Sequence, residues 1–238
     1  MKPILLTIVG VDVRSYTAFA IAGFGAGLLV FLAECRRLEM LNSRFLVVVS
    51  AGLFGSLLGM MLPLWAWHLW LSRTLALSLP QIFSGRTVVG GLIGGWIAVE
   101  IAKRNMGIRY RTGDPFAPAL ALGLAIGRVG CFLNGCCYGI PSDLPWACDF
   151  GDGIQRHPTQ IYSAVFDLGL FAYLWLVRAS VVTRGELFRR FLYLFGIFRF
   201  LIEFLRDTPK VLLGLSGFQW AMLGMLAWLI LRDRRAAR

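Results

Sequence analysis

Seven runs of the chain, at residues 16–33, 45–69, 88–102, 116–133, 159–177, 191–205 and 216–231, are long and apolar enough to bear on a bilayer core, which takes about 20 helical residues to cross. In lipid, backbone N–H and C=O groups must be satisfied within their own segment, so runs of this kind are helices. The expected fold is all-α: a polytopic membrane protein of about seven transmembrane helices, forming one integral membrane domain over residues 1–238. The runs at 88–102 and 191–205 are the shortest. Of the 238 residues, 58% are hydrophobic, and many of the 27 glycines recur four apart within the runs. Gly23 and Gly27, Gly55 and Gly59, Gly90 and Gly94, Gly91 and Gly95, and Gly123 and Gly127 have this spacing, which lets helix backbones approach closely.

The net charge of +11 invites a nucleic-acid reading, but the distribution of the basic residues excludes it. Alternate connections hold seven Lys and Arg on one side of the bundle and fifteen on the other. The richer side faces the cytoplasm by the positive-inside rule, so the N-terminus is expected outside and the C-terminus inside. The opening stretch MKPILLTIVGVDVRSY has a lysine and an apolar run, as a signal peptide does, yet Asp12 and Arg14 interrupt it. It is expected to remain on the external face, at the interface.

Only two of the 24 basic residues, Arg128 and Arg199, fall within the runs. A charge inside a membrane span is expensive, and by default it is a functional candidate. Arg128 lies about 12 residues, or roughly 18 Å, beyond Phe116. Glu203 lies at a similar distance from Phe191, in FRFLIEFLRD, where Arg199, Glu203 and Arg206 share one helix face at i, i+4 and i+7. An Arg128–Glu203 ion pair is one reading. Three arginines against one glutamate nevertheless leave positive charge over, and the expected partner is an anionic phospholipid whose phosphate a guanidinium grips with two N–H groups.

Five cysteines add a second set of reactive groups, of which Cys131, Cys136, Cys137 and Cys148 fall on or near the outer side. With Cys131 a helical turn deeper than Cys136, a disulfide from Cys148 to Cys136 or Cys137 is expected, leaving Cys131 reduced. Reactive thiols at Cys131 or Cys136 are the alternative, because nearby arginines lower thiol pKa values. No metal is expected: the spacing of three cysteines and His157 matches no strong zinc pattern. His157, before Pro158 at a helix entry, is a candidate base or a capping residue.

The segments GRVGCFLNGCCYG, RHPTQIY, GGLIGG and RFLIEFLRD, together with VRSY and GLSGFQ and in this order along seven runs, resemble the prolipoprotein diacylglyceryl transferase family. The resemblance implies an enzyme of the bacterial inner membrane that moves a diacylglyceryl group from phosphatidylglycerol to a cysteine thiol in the signal region of a lipoprotein precursor, without a cofactor. It points to Arg128, Arg199, Glu203 and His157 as catalytic, and to Tyr16, Gly90, Gly91, Asn134, Gly139 and Arg206 as substrate-binding. Cys131 and Cys136 stand where the family has asparagine and glutamate, Val89 where it has histidine, and Phe195 where it has tyrosine. The alternatives are a paralogue with another acceptor, a non-catalytic phospholipid-binding protein, and a membrane thiol/disulfide exchange protein. Reporter fusions are expected to place Asp149 outside and Arg234 inside; a cytoplasmic Asp149 would defeat the topology.

Overall fold

The computed structural model describes residues 4–8, 11–72 and 88–236, and is mostly helical. Seven α-helices are described: α1 (Ser15–Arg37), α2 (Ser43–Ser72), α3 (Val88–Asn105), α4 (Phe116–Leu133), α5 (Thr159–Val177), α6 (Glu186–Ile202) and α7 (Gly217–Ala236). Three two-stranded antiparallel hairpins join them: β1 (Ile4–Ile8) with β2 (Val11–Arg14), β3 (Cys148–Asp149) with β4 (Gln155–Arg156), and β5 (Lys210–Leu212) with β6 (Leu215–Ser216). The chain divides into two compact units, Met1–Glu34 with Arg111–Arg238, and Cys35–Tyr110.

Four of the helices are long and apolar enough to cross a membrane: Ser15–Arg37, Ser43–Met61 within α2, Phe116–Leu133 and Thr159–Val177. The last two coincide with the runs expected from sequence. The other three carry charge at one end, and one of them is also short. Helix α3 ends in AKRN, α6 opens with ELFRR and is only 17 residues long, and α7 closes with RDRRA. The opening segment, expected to lie at the interface, is a hairpin in which the Thr7 hydroxyl donates to Asp12 Oδ1 at 2.7 Å.

In the first unit the core is apolar and drawn from three helices. Ala117 and Ala121 of α4, Leu170 and Leu174 of α5, and Leu187 and Phe191 of α6 are buried together. The rings of Phe166 and Phe198 stack beside them at 3.8 Å. Helix α6 begins five residues earlier than the expected run because its entry is capped from a distance. The Asp114 carboxylate accepts from Gly185 N at 2.5 Å and from Phe188 N at 3.0 Å, and Gly185 adopts φ 85°, a left-handed conformation that glycine takes without a steric penalty. At the opposite end of α5, Arg178 pairs at 3.1 Å with Glu34, which is buried.

Helix α1 meets α4 through small residues. A Cβ at Gly23 would stand 2.7 Å from Gly123 O, and one at Gly27 would stand 3.0 Å from Ala119 O. The second unit repeats the device between α2 and α3, where a Cβ at Gly55 would meet Gly94 O at 2.7 Å and one at Gly94 would meet Gly59 Cα at 2.8 Å. The four-residue glycine spacing thus serves close backbone approach in both units. Gly23→Val is expected to lower stability by roughly 1–3 kcal/mol through overpacking. Gly25→Val, with nothing near its Cβ, is expected to cost far less. Thermal unfolding of the two variants in detergent checks the contrast.

Candidate functional site

The site is organised by a carboxylate that is wholly buried. Glu203 sits where α6 passes into a 3-10 turn, Glu203–Leu205, and is 0% exposed. Its carboxylate pairs with Arg199, accepts from Thr208 Oγ1 at 2.9 Å and Ser216 Oγ at 3.0 Å, and lies 3.7 Å from Arg206 Nε. Ser216 also caps α7: its hydroxyl accepts from Gln219 N, and the Gln219 side chain accepts from Ser216 N. One carboxylate therefore joins the end of α6, the turn after it and the start of α7.

The expected grouping of Arg199, Glu203 and Arg206 is present, with one difference. Arg206 is not on the helix face. The helix has ended, and Arg206 is extended, with φ −97° and ψ 144°. Its backbone bridges antiparallel to Gly139, and Ile140 N donates to Leu205 O at 2.9 Å. The end of α6 is thereby tied to the loop after α4. Gly139 is required by this contact, since a Cβ there would stand 2.8 Å from both His157 Cβ and Thr159 Cγ2.

Arg128, on α4, is half-buried and within electrostatic reach of Arg199, Asp167 and Cys137. Among the described residues it makes no ion pair; Glu203 is taken by Arg199 and Arg206. Arg206 Nε is buried without a hydrogen-bond partner. Two guanidinium groups thus share the Glu203 carboxylate, and the third, Arg128, lies within electrostatic reach of Arg199, so the group has donors to spare. Such donors are suited to an anion with several oxygens.

The cysteines depart from expectation. All five are free thiols. Cys148 is turned to Trp146 O, 3.6 Å away, rather than to Cys136 or Cys137. Cys131 is not set a turn apart either, because its helix does not continue. Gly135 N donates to Phe132 O and Cys136 N to Cys131 O, both at 3.1 Å, with Gly135 at φ 68°, which is a Schellman cap that folds Cys136 back over Cys131. The Cys137 thiol is held down to about 5, chiefly by a hydrogen bond with Cys131 and also by the Arg206 and Arg128 guanidinium groups, whereas burial pushes Cys136 up.

His157 is half-buried, with Nδ1 3.3 Å from the Tyr162 hydroxyl, which accepts from Trp146 Nε1 at 2.7 Å. Asn134 is the C-cap residue of α4 and lines a cavity of about 470 Å³ with Ile4, Asp12 and Arg14. Tyr16 is exposed at the start of α1, where its backbone packs against Gly130. Gly90 and Gly91 lie on α3, in the second unit. A Cβ at Gly91 would meet Met60 Cγ at 2.6 Å, so its smallness serves the α2–α3 contact.

Two residues of α5 escaped the sequence reading. Asp167 is 1% exposed, with Oδ1 unpartnered, and Gln160 is fully buried and donates to Cys136 O at 2.7 Å. Asp167 had a signal: it is the lone charged residue of its apolar run. Gln160 lies within the RHPTQIY segment, but its partner, a backbone carbonyl 24 residues away, was not readable from sequence.

Four helices of membrane-spanning length in a mostly helical chain define a helical membrane protein. The sequence profile of prolipoprotein diacylglyceryl transferases matches residues 3–232, and the chain belongs to that family. Curated relatives agree over most of its length. Proteins named phosphatidylglycerol–prolipoprotein diacylglyceryl transferase from Oleidesulfovibrio alaskensis and Clostridium tetani are 34% and 30% identical to it, over 94% and 88% of this chain and 86% and 87% of their own. A Bordetella avium protein of the same name is 39% identical over 65% of this chain and 63% of its own.

Proposed function

We propose that the chain transfers a diacylglyceryl group from phosphatidylglycerol, or a similar anionic phospholipid, to the cysteine thiol in the signal region of a lipoprotein precursor, and releases glycerol phosphate. The observation that carries this reading is the surplus of guanidinium groups, Arg128, Arg199 and Arg206, over the two buried carboxylates near them, Glu203 and Asp167, in a chain of this family. The acceptor sulfur attacks a glycerol carbon, the carbon–oxygen bond to the phosphate breaks, and the departing phosphate gains negative charge. Donors aimed at that developing charge stabilise the transition state. Arg128 and Arg199 act on the phosphate, Glu203 orients Arg199 and Arg206, and Arg206 stands at the mouth beside the loop that holds Asn134 and Gly139.

The thiol must also lose a proton. His157 is the proposed acceptor: its Nδ1 faces the Tyr162 hydroxyl at 3.3 Å, and in the tautomer with the proton on Nδ1 the Nε2 lone pair takes the thiol proton. The proposed setting is the bacterial inner membrane, crossed by seven spans of one integral domain, with the N-terminus outside, the C-terminus in the cytoplasm and the site in the outer half.

The test is glycerol phosphate release by purified protein given phosphatidylglycerol vesicles and a peptide with a lipoprotein-type cysteine. Arg128→Ala is expected to lower the rate by about 100-fold or more without loss of the folded state. Arg128→Lys is expected to rescue poorly, because an ammonium lacks the planar fork. A wild-type protein that retains phosphatidylglycerol but releases no glycerol phosphate with any thiol acceptor would overturn the transferase reading in favour of a phospholipid-binding protein. Val89 and Phe195, in place of the histidine and tyrosine the resemblance leads one to expect, are the residues that favour that second reading.

A further inference from the structure

The densest group of metal-ligating side chains among the described residues lies beside the arginines. The Sγ atoms of Cys131, Cys136 and Cys137 are all within 4.8 Å of one another. Their backbone is fixed from two sides. The Schellman cap sets Cys136 over Cys131, and the first turn of α5 holds the next two carbonyls: Gln160 Nε2 donates to Cys136 O at 2.7 Å and Thr159 Oγ1 to Cys137 O at 2.9 Å. Cys137 itself has φ 64°, a conformation a non-glycine residue adopts only when its surroundings impose it. The convergence of the three thiols is therefore built into the loop.

A zinc-like cation binds thiolates at about 2.3 Å, which puts neighbouring sulfurs about 3.8 Å apart. Closing from 4.8 Å asks at most about 0.6 Å of each sulfur, within the reach of small side-chain rotations. Thiolates select soft cations over the hard ones that prefer oxygen. Charge favours the same outcome. Three thiolates around a monovalent or divalent cation carry a net charge of −2 or −1, and the Arg128 and Arg206 guanidinium groups near Cys137 oppose it. Bare cations are repelled there, whereas the thiolate complex is attracted.

We propose that Cys131, Cys136 and Cys137 form a three-thiolate site for a thiophilic d10 cation, Zn(II) or Cu(I). On binding, the cysteines that still carry S–H protons release them to solvent as three metal–sulfur bonds form, and no electrons are transferred. Zn(II) would keep a fourth position for water, while Cu(I) is satisfied by three sulfurs. Cys148 and His157 stand outside the group, engaged with Trp146 O and the Tyr162 hydroxyl. If the arginines bind phospholipid phosphate as proposed above, the metal complex and the headgroup draw on the same positive charge and compete.

Full-length protein in detergent, reduced and stripped of metal, is titrated with Zn(II), and separately with Cu(I) in the absence of oxygen, against a chromophoric chelator. The expected result is one cation per chain, with three of the five thiols protected from alkylation and with Cys137→Ser weakening binding by about 100-fold or more. The arm that saturates identifies the ion. Cys137 is exposed, so its substitution is compatible with folding, and the Cys35→Ser, Cys148→Ser double variant is expected to bind as the wild type does. Three results would overturn the site: no saturable binding in either arm, binding that survives both Cys137→Ser and Cys131→Ala, or a disulfide among the three in protein acid-quenched from intact cells. These readouts need no transfer activity, so the site and the transferase reading fail separately.

Discussion

The buried carboxylate of Glu203 is the interaction on which the rest of the site depends. A carboxylate with no exposure is tolerable only when its lone pairs are occupied, and here two guanidinium groups and two hydroxyls occupy them. Because those partners come from α6, from the turn beyond it and from the entry to α7, satisfying the charge also sets the geometry. Arg199 is held on the helix and lies over the ring of Phe218, with its Cζ 5.0 Å from the ring centroid. Arg206 is turned back, and its backbone joins Gly139. Glu203 thereby neutralises part of the positive charge while fixing where the remainder points.

That remainder faces a loop whose composition differs from what the resemblance leads one to expect. Cys131 and Cys136 replace an asparagine and a glutamate, and Cys137 completes a group of three thiols. Replacing an acid by a thiol removes a fixed negative charge from beside the arginines and installs one that depends on protonation or on metal. The surplus of guanidinium is correspondingly larger. The same substitution removes a candidate proton acceptor, so in the proposed transfer thiol activation falls to His157 or to the field of the arginines themselves.

Much of the fold was legible because it follows from local rules. The runs at 116–133 and 159–177 have flanks that stop a helix, and the structure has α4 and α5 at those positions. The grouping of Arg199, Glu203 and Arg206 was readable from helical spacing even though Arg206 lies past the helix end, because a 3-10 turn and a short extended step return it to the same carboxylate. What was not legible depended on where a helix stops. Assuming that α4 ran on to Cys136 placed Cys131 a turn away, whereas the left-handed Gly135 ends the helix and brings the thiols together. The close packing that Gly91 and Gly139 serve was not legible either, because the neighbours concerned lie elsewhere along the chain. The opening hairpin was hidden because a short apolar run reads alike as strand or interfacial segment.

Catalyst and binder differ in what they do for a cell, so the central claim is most directly tested by complementation. In a bacterium depleted of its own diacylglyceryl transferase, expression of this chain is expected to restore growth and to return lipoprotein precursors to the diacylglyceryl-modified form seen on mass analysis, whereas equal expression of Glu203→Gln is expected to do neither. Unmodified precursors accumulating despite a folded, membrane-inserted wild-type protein would contradict the account.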